Sequence, residues 1–160
     1  DDKDKSLNAN TKLSPRELLK LIPKKYHRSV EFTDYVPHSK LPLFIQAGDI
    51  FPVMSIGDNF PGTVAEISLS AKPIIFLVRG GVKEMLTNKN GRIIAPHVGD
   101  NISRAPLLLS RTLIKLSLNQ KLREKIGVQL RNHMLKTYDP IKVTNQILES
   151  YYEVLSRKNK

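Results

Sequence analysis

The sequence predicts an α/β fold: a parallel sheet flanked by helices, followed by a wholly helical C-terminal segment. Three observations predict it. The apolar runs "DIFPVMSI" at 49–56 and "PIIFLVR" at 73–79 are nearly continuous, as strands buried on both faces require. A helical stretch of about ten residues separates them, and joints of two to six residues connect strand to helix, the rhythm of a right-handed βαβ unit. After Pro96 the pattern turns wholly helical, over about 102–157.

Taken in order, residues 1–13 are polar and without period and read as a leader; residues 14–160 form one domain. "SPRELLKLIPKKYH" at 14–27 begins a helix with Ser14 as N-cap, Pro15 at the first helical position and Glu17 closing a capping box, and Pro23 ends or kinks it. "VEFTDYV" at 30–36 is a short strand, and "LPLFIQA" at 41–47 is a helical turn or two closed by Gly48. The runs at 49–56 and 73–79 are the second and third strands, the second with the pattern of a central strand. Gly80-Gly81 breaks the chain, "VKEML" makes a short helix and "GRIIAP" at 91–96 a fourth strand. Helices then occupy about 102–118, 120–137 and 140–157, the last opened by Asp139 and Pro140.

Composition excludes several functions. The chain has 160 residues, 40% hydrophobic and 26% charged, as a globular protein does, and no Cys, which removes disulfides, thiolate zinc sites and thiol catalysis. His27, His38, His97 and His133 lack the i, i+4 spacing that puts two metal ligands on one helix face. No apolar run approaches the roughly 20 residues of a membrane helix, and the N-terminus has no signal-peptide pattern, so a soluble, cytoplasmic protein is expected. The net charge of +11 is uneven: residues 101–160 carry 12 Lys/Arg against 4 Asp/Glu, while residues 41–100 balance at 5 and 5. A basic helical surface attracts nucleic acid, anionic head groups or a phosphorylated substrate, but aromatic residues for base stacking are few there, and a solvated lysine-rich face is the plainer alternative.

The strand-to-helix loops of a parallel sheet gather at the carboxyl ends of its strands, where ligands bind. The loop 56–62 lies at that edge, as do 79–81 and 35–40. Ser55, Gly57, Asp58 and Asn59 form a polar turn, and Pro61 presets helical φ where a missing N–H costs nothing. The N–H groups of Gly62, Thr63 and Val64 then face the loop, an arrangement that attracts phosphate. Glu66, one turn further in, suits the paired hydroxyls of a ribose, and Asp58 suits a sugar beyond the phosphates. By spacing alone, an ordinary turn Asp and an ordinary second-turn Glu are the favoured reading, since two acids eight residues apart are weak evidence of a site.

The stretch "DNFPGTVAEISLSAKPIIFLVRGGVKEML" resembles the signature of the retaining, nucleotide-sugar-dependent glycosyltransferases of the GT-B fold, often called glycosyltransferase group one. That signature is an acidic residue, seven residues, then Glu, followed by a strand and a Gly-Gly turn. Upstream, "VEFTDYVPHSKLPLFIQAGDIFPVMS" is similar to the family's strand, loop, helix and strand ending in Ser. Downstream, "TNKNGRIIAPHVGDN" resembles its Gly-strand and Asp turn, and 102–157 its closing helices.

The resemblance implies a Rossmann-like donor-binding domain, the C-terminal half of a GT-B enzyme. It assigns Asp58 and Asn59 to the donor sugar, and backbone donors around Phe60, Gly62, Thr63 and Val64 to the diphosphate. Glu66 falls to the ribose, and the loop Tyr35, Val36, Pro37 lies near the base. It implies a UDP- or GDP-linked sugar as substrate, no metal or other cofactor, no nucleic-acid partner, an acceptor-binding N-terminal half in cis or in trans, and a peripheral membrane contact as an option. Asp58 stands where Glu is commoner, Ala71 and Lys72 where Gly and a small residue are usual, and Asp34 where Gly is usual.

The family's opening strand-helix-strand, with the Arg and Lys that grip the diphosphate, has no counterpart before residue 14, and Arg79 and Lys83 do not align with those positions. A partial domain is therefore expected, a trimmed piece, a split subunit or a decayed reading frame, inactive alone. The rivals are a non-catalytic nucleotide-sugar or partner-subunit module and a basic nucleic-acid binder.

Overall fold

The computed structural model describes residues 14–33 and 35–158, in two compact units, Asp1–His38 and Ser39–Lys160. The polar leader 1–13 and Asp34 lie outside the described residues.

In the first unit, helix α1 spans Pro15–Lys20. The Glu17 N–H donates to the Ser14 hydroxyl at 3.3 Å and the Ser14 N–H to the Glu17 carboxylate at 2.7 Å, a reciprocal capping box. Those bonds to Ser14, the backbone one foremost, hold the Glu17 carboxyl below its ordinary pKa. The helix stops before Pro23, and a 3₁₀ helix follows at Lys24–Ser29. The expected strand at 30–36 does not form among the described residues. Phe32 and Tyr35 are exposed, so neither face of the segment is buried, and no neighbouring strand takes up its backbone groups.

The second unit is a mixed α/β body. Its elements are α2 (Leu41–Ala47), β1 (Phe51–Val53), α3 (Gly62–Leu69), β2 (Ile74–Phe76), α4 (Gly80–Met85), α5 (Ala105–Ser117), α6 (Gln120–Thr137) and α7 (Pro140–Lys158). β1 and β2 are parallel, with Phe51 opposite Ile74, Pro52 opposite Ile75 and Val53 opposite Phe76. The helix α3 between them completes the expected strand-helix-strand unit, in strands shorter than the apolar runs.

Two strand expectations are corrected. β1 pairs only with β2 among the described residues, so it is an edge and not a central strand; Pro52 has no N–H to offer a second neighbour. The run 91–96 is not a fourth strand. Instead residues 96–99 extend along the free edge of β2: the Phe76 N–H donates to the Pro96 carbonyl at 3.2 Å, Val98 N–H to Phe76 at 3.0 Å and Val78 N–H to Gly99 at 2.8 Å. Within 91–96, Ile93 bridges Thr87 in an antiparallel turn that reverses at Gly91 (φ 73°).

Ile74, Ile75 and Phe76 are fully buried, each side chain contributing about 1.5–3 kcal/mol. Alternation sends Ile74 and Phe76 into a cluster with Val64, Ile67, Leu130 and Met134, and Ile75 into one with Val98, Ala105 and Leu116. The second cluster lies under α5, the first under α3 and α6. Asn119 and Asp139 cap α6 and α7 through Leu122 and Lys142 N–H bonds of 2.9 Å each.

Candidate functional site

β1 and β2 are parallel, so the loops leaving their carboxyl ends, 54–61 and 77–79, emerge at the same edge of the sheet. The Gly81 N–H donates to the Asp58 carbonyl at 2.9 Å. Gly80 takes φ +55°, and a Cβ there would meet the Asp58 carbonyl oxygen at 2.8 Å; a Cβ on Gly81 would meet the Asn59 carbonyl oxygen at 1.4 Å. The glycine pair is therefore more than a chain break. It lets the second loop press onto the backbone of the first, which no side-chain-bearing residue permits.

Asp58 is exposed, and its carboxylate accepts a 2.5 Å hydrogen bond from the Ser55 hydroxyl. Asn59 and Phe60 follow on the exposed turn. Pro61 precedes α3 without any side-chain cap, so the helix opens on uncovered backbone at the exposed residues Gly62 and Thr63. The Val64 N–H donates to the Pro61 carbonyl at 3.0 Å and its side chain is fully buried, which leaves Gly62 and Thr63 as the outward donors of this end. Glu66 is half-buried at i+3 from Thr63 and i+4 from Gly62, on the face opposite the buried Val64, Ile67 and Ser68. One short segment thus gathers an exposed carboxylate, an uncapped helix N-terminus with its positive dipole end, and a second carboxylate one turn inside.

α6 holds that helix at both ends. Gly127 lies against the backbone at Ala71, where a Cβ would come within 1.8 Å of the carbonyl oxygen, and the Arg131 guanidinium donates to the Leu69 carbonyl. At the other end the Phe60 ring meets Tyr138 edge-on, centroids 5.3 Å apart, and Tyr138 meets His133 at 6.2 Å. Burial, and secondarily the nearby Glu84 carboxylate, pushes the Tyr138 phenol above its ordinary pKa. A cleft of about 890 Å³ opens beside Phe60, bordered by Tyr138, Val143, Lys89 and Lys142. Neither Tyr138 nor Ser55's bond to Asp58 was foreseen. Tyr138 lies far along the chain and carries no local motif, whereas Ser55, three residues from Asp58, offered an Asx-type turn signal.

The family model described as glycosyl transferases group 1 matches residues 9–110, from before α1 through the first half of α5. The chain belongs to that family. A general role in glycosyl transfer follows for this group 1 glycosyltransferase domain. The matched span contains Asp58, α3, Glu66 and the Gly80-Gly81 turn; α6 and α7 lie beyond it. No curated protein matches the chain.

The departures at 71 and 72 acquire a physical account. Ala71 adopts φ +55°, the left-handed conformation that Gly would take without strain. The Lys72 ammonium donates to the carbonyls of Gln46 at 2.9 Å and Gly48 at 2.8 Å, capping the C-terminus of α2. Tyr35, Val36 and Pro37 belong to the first unit, with Tyr35 88% exposed. Among the described residues no group of three or more His, Asp or Glu is placed to hold a metal ion, and no helix is long and apolar enough to cross a membrane.

Proposed function

We propose that this group 1 glycosyltransferase domain supplies the donor-binding face of a retaining enzyme, a Rossmann-like C-terminal half that binds a UDP- or GDP-linked hexose. The supporting observation is the uncapped N-terminus of α3 at the carboxyl edge of the parallel strands, flanked by Asp58 and Glu66. The diphosphate lies against the N–H groups around Phe60, Gly62 and Thr63, with Val64 closing the first turn. Glu66 accepts from both ribose hydroxyls, and Asp58 and Asn59 hold the sugar. In the reaction the bond from the anomeric carbon to the diphosphate oxygen breaks and the diphosphate keeps the electron pair; a hydroxyl oxygen of the acceptor bonds to the anomeric carbon with the configuration kept, and the hydroxyl proton passes to the departing diphosphate. Stabilisation of the developing diphosphate charge by fixed helix-terminal dipoles is the chain's contribution to the barrier, and no metal is required for it. The acceptor wall comes from a complementary half, in cis or in trans.

Calorimetric titration of the chain with UDP and with GDP tests this reading. Binding of one of them is expected, weakened about tenfold in Glu66→Gln through loss of a charge-assisted pair of hydrogen bonds. Asp58→Asn is expected to leave nucleotide binding intact and to weaken only the nucleotide sugar. Absence of heat with both nucleotides overturns the assignment.

A further inference from the structure

The cleft beside Phe60 lies wholly within the second unit, between the turn that opens α3, the start of α7 and Lys89 in the loop after α4. At about 890 Å³ it is large enough for a disaccharide, at the upper end of the usual range for small-molecule clefts, about 300–1,000 Å³. Its chemistry is mixed in a particular way. Phe60 and Tyr138 supply aromatic surface, Thr144 and Gln146 on α7 supply a hydroxyl and an amide, and Lys89 and Lys142 supply the charge. Lys89 is exposed and makes no hydrogen bond or ion pair among the described residues, while the Lys142 ammonium reaches only the Lys136 carbonyl, at 3.5 Å. No Asp or Glu lines the cleft. Two acids stand close to it: Asp139, whose carboxylate accepts the Lys142 N–H at 2.9 Å as the cap of α7, and Glu84, which acts on the Tyr138 phenol. The first is committed to the positive end of its helix, and neither borders the space.

We propose that this cleft seats an anionic saccharide, a sugar carrying a carboxylate or a phosphate, as the acceptor of the transfer. The C–H face of a sugar ring lies against the negative face of an aromatic ring, its hydroxyls pair with Thr144 and Gln146, and its anion meets Lys89 and Lys142. A hydrocarbon chain would cover those polar groups without pairing them, and a bare anion would leave the aromatic surface uncovered. The acceptor role rests on the donor-binding reading of the α3 turn. Phe60 stands one residue from Asn59, given there to the sugar, and two from Gly62, given to the diphosphate, so the cleft begins beside the bond to be broken. An acceptor hydroxyl must come within about 3–3.5 Å of that anomeric carbon, and a seat starting at Phe60 holds its sugar within reach. This chain then supplies part of the acceptor site itself, alongside the wall from the complementary half.

Saturation-transfer NMR titrations of the chain with methyl glucuronide, glucose 6-phosphate, methyl glucoside, inorganic phosphate and octyl sulfate test it. At least one of the two anionic sugars is expected to bind about tenfold more tightly than methyl glucoside, through charge-assisted hydrogen bonds, and the tighter of the two tells carboxylate from phosphate. Lys89→Gln with Lys142→Gln should remove that preference with circular dichroism unchanged, since both side chains are exposed, and should leave calorimetric binding of UDP or GDP as in wild type. Glu66→Gln should do the reverse, weakening the nucleotide and sparing the sugar. The proposal is overturned if methyl glucoside binds as well as both anionic sugars, if the preference survives in the double lysine variant, or if inorganic phosphate or octyl sulfate binds at least as tightly as the sugars. Loss of nucleotide binding in the double lysine variant overturns it too, because the cleft would then hold the nucleotide. Should the wild-type chain take the anionic sugar but neither UDP nor GDP, the donor-binding reading fails and the acceptor role falls with it, while the saccharide site stands.

Discussion

Replacing Gly81 by Ala tests how the two site loops hold each other. The new Cβ would sit 1.4 Å from the Asn59 carbonyl oxygen, and real Cβ contacts do not fall below 3.0 Å. The loops must therefore separate by about 1.6 Å, and because the obstacle is backbone, no side-chain rotation relieves it. Overpacking of this kind costs about 1–3 kcal/mol, and stretching the Gly81 N–H bond to Asp58 adds about 1 kcal/mol. For a chain of this size, that total lowers the melting temperature by about 5–15 °C. Thermal unfolding followed by circular dichroism measures the loss, and calorimetry with the nucleotide that wild type binds should show weakened binding, because the turn that opens α3 moves with Asn59. Gly57→Ala is the internal comparison: it lies in the same loop, and its new Cβ would have no heavy atom within 4 Å, so its melting temperature should match wild type. A Gly81→Ala protein melting within about 1 °C of wild type would refute the claim that the Gly80-Gly81 turn pins the Asp58 loop.

Two further outcomes follow from the packing. Ala71→Gly should stabilise the chain by about 0.5–1 kcal/mol, read from denaturant midpoints, since relief of left-handed strain at φ +55° exceeds the added freedom of the unfolded chain; a lower midpoint would contradict it. Tyr138 has a folded-state pKa raised above its unfolded value, so the folded protein holds the phenol proton more tightly. Its contribution is fully present below the unfolded value near 10 and is lost as pH rises through the folded one. Wild type should therefore lose stability more steeply than Tyr138→Phe in denaturant titrations above about pH 10, and parallel slopes would refute that.

The helix starts were legible because their signals are local. Ser14 with Glu17, Asn119 with Leu122 and Asp139 with Lys142 each close a bond three residues apart, so the sequence itself contains both partners. The strand at 51–53 and its successor at 74–76 were legible as apolar runs, but their ends were not. Strand length depends on how far a neighbour's backbone accompanies the run, and for 30–36 and 91–96 the expected neighbour was not there. Lys72 read as a departure from a small-residue position because its partners at Gln46 and Gly48 lie more than twenty residues away.

By itself the sequence determined the α/β class, the order of most helices and the placing of Asp58, Gly62, Thr63 and Glu66 around one helix start, because hydrophobic period, capping and turn chemistry act over a few residues. The tertiary structure decided what supports that start. It set Gly81 onto the backbone of Asn59, Tyr138 onto Phe60 and Gly127 onto Ala71, and it brought Lys89 and Lys142 to one cleft. Those contacts join residues 22 to 78 positions apart, and no local propensity encodes which distant surfaces come within a few ångströms of each other once the core has closed.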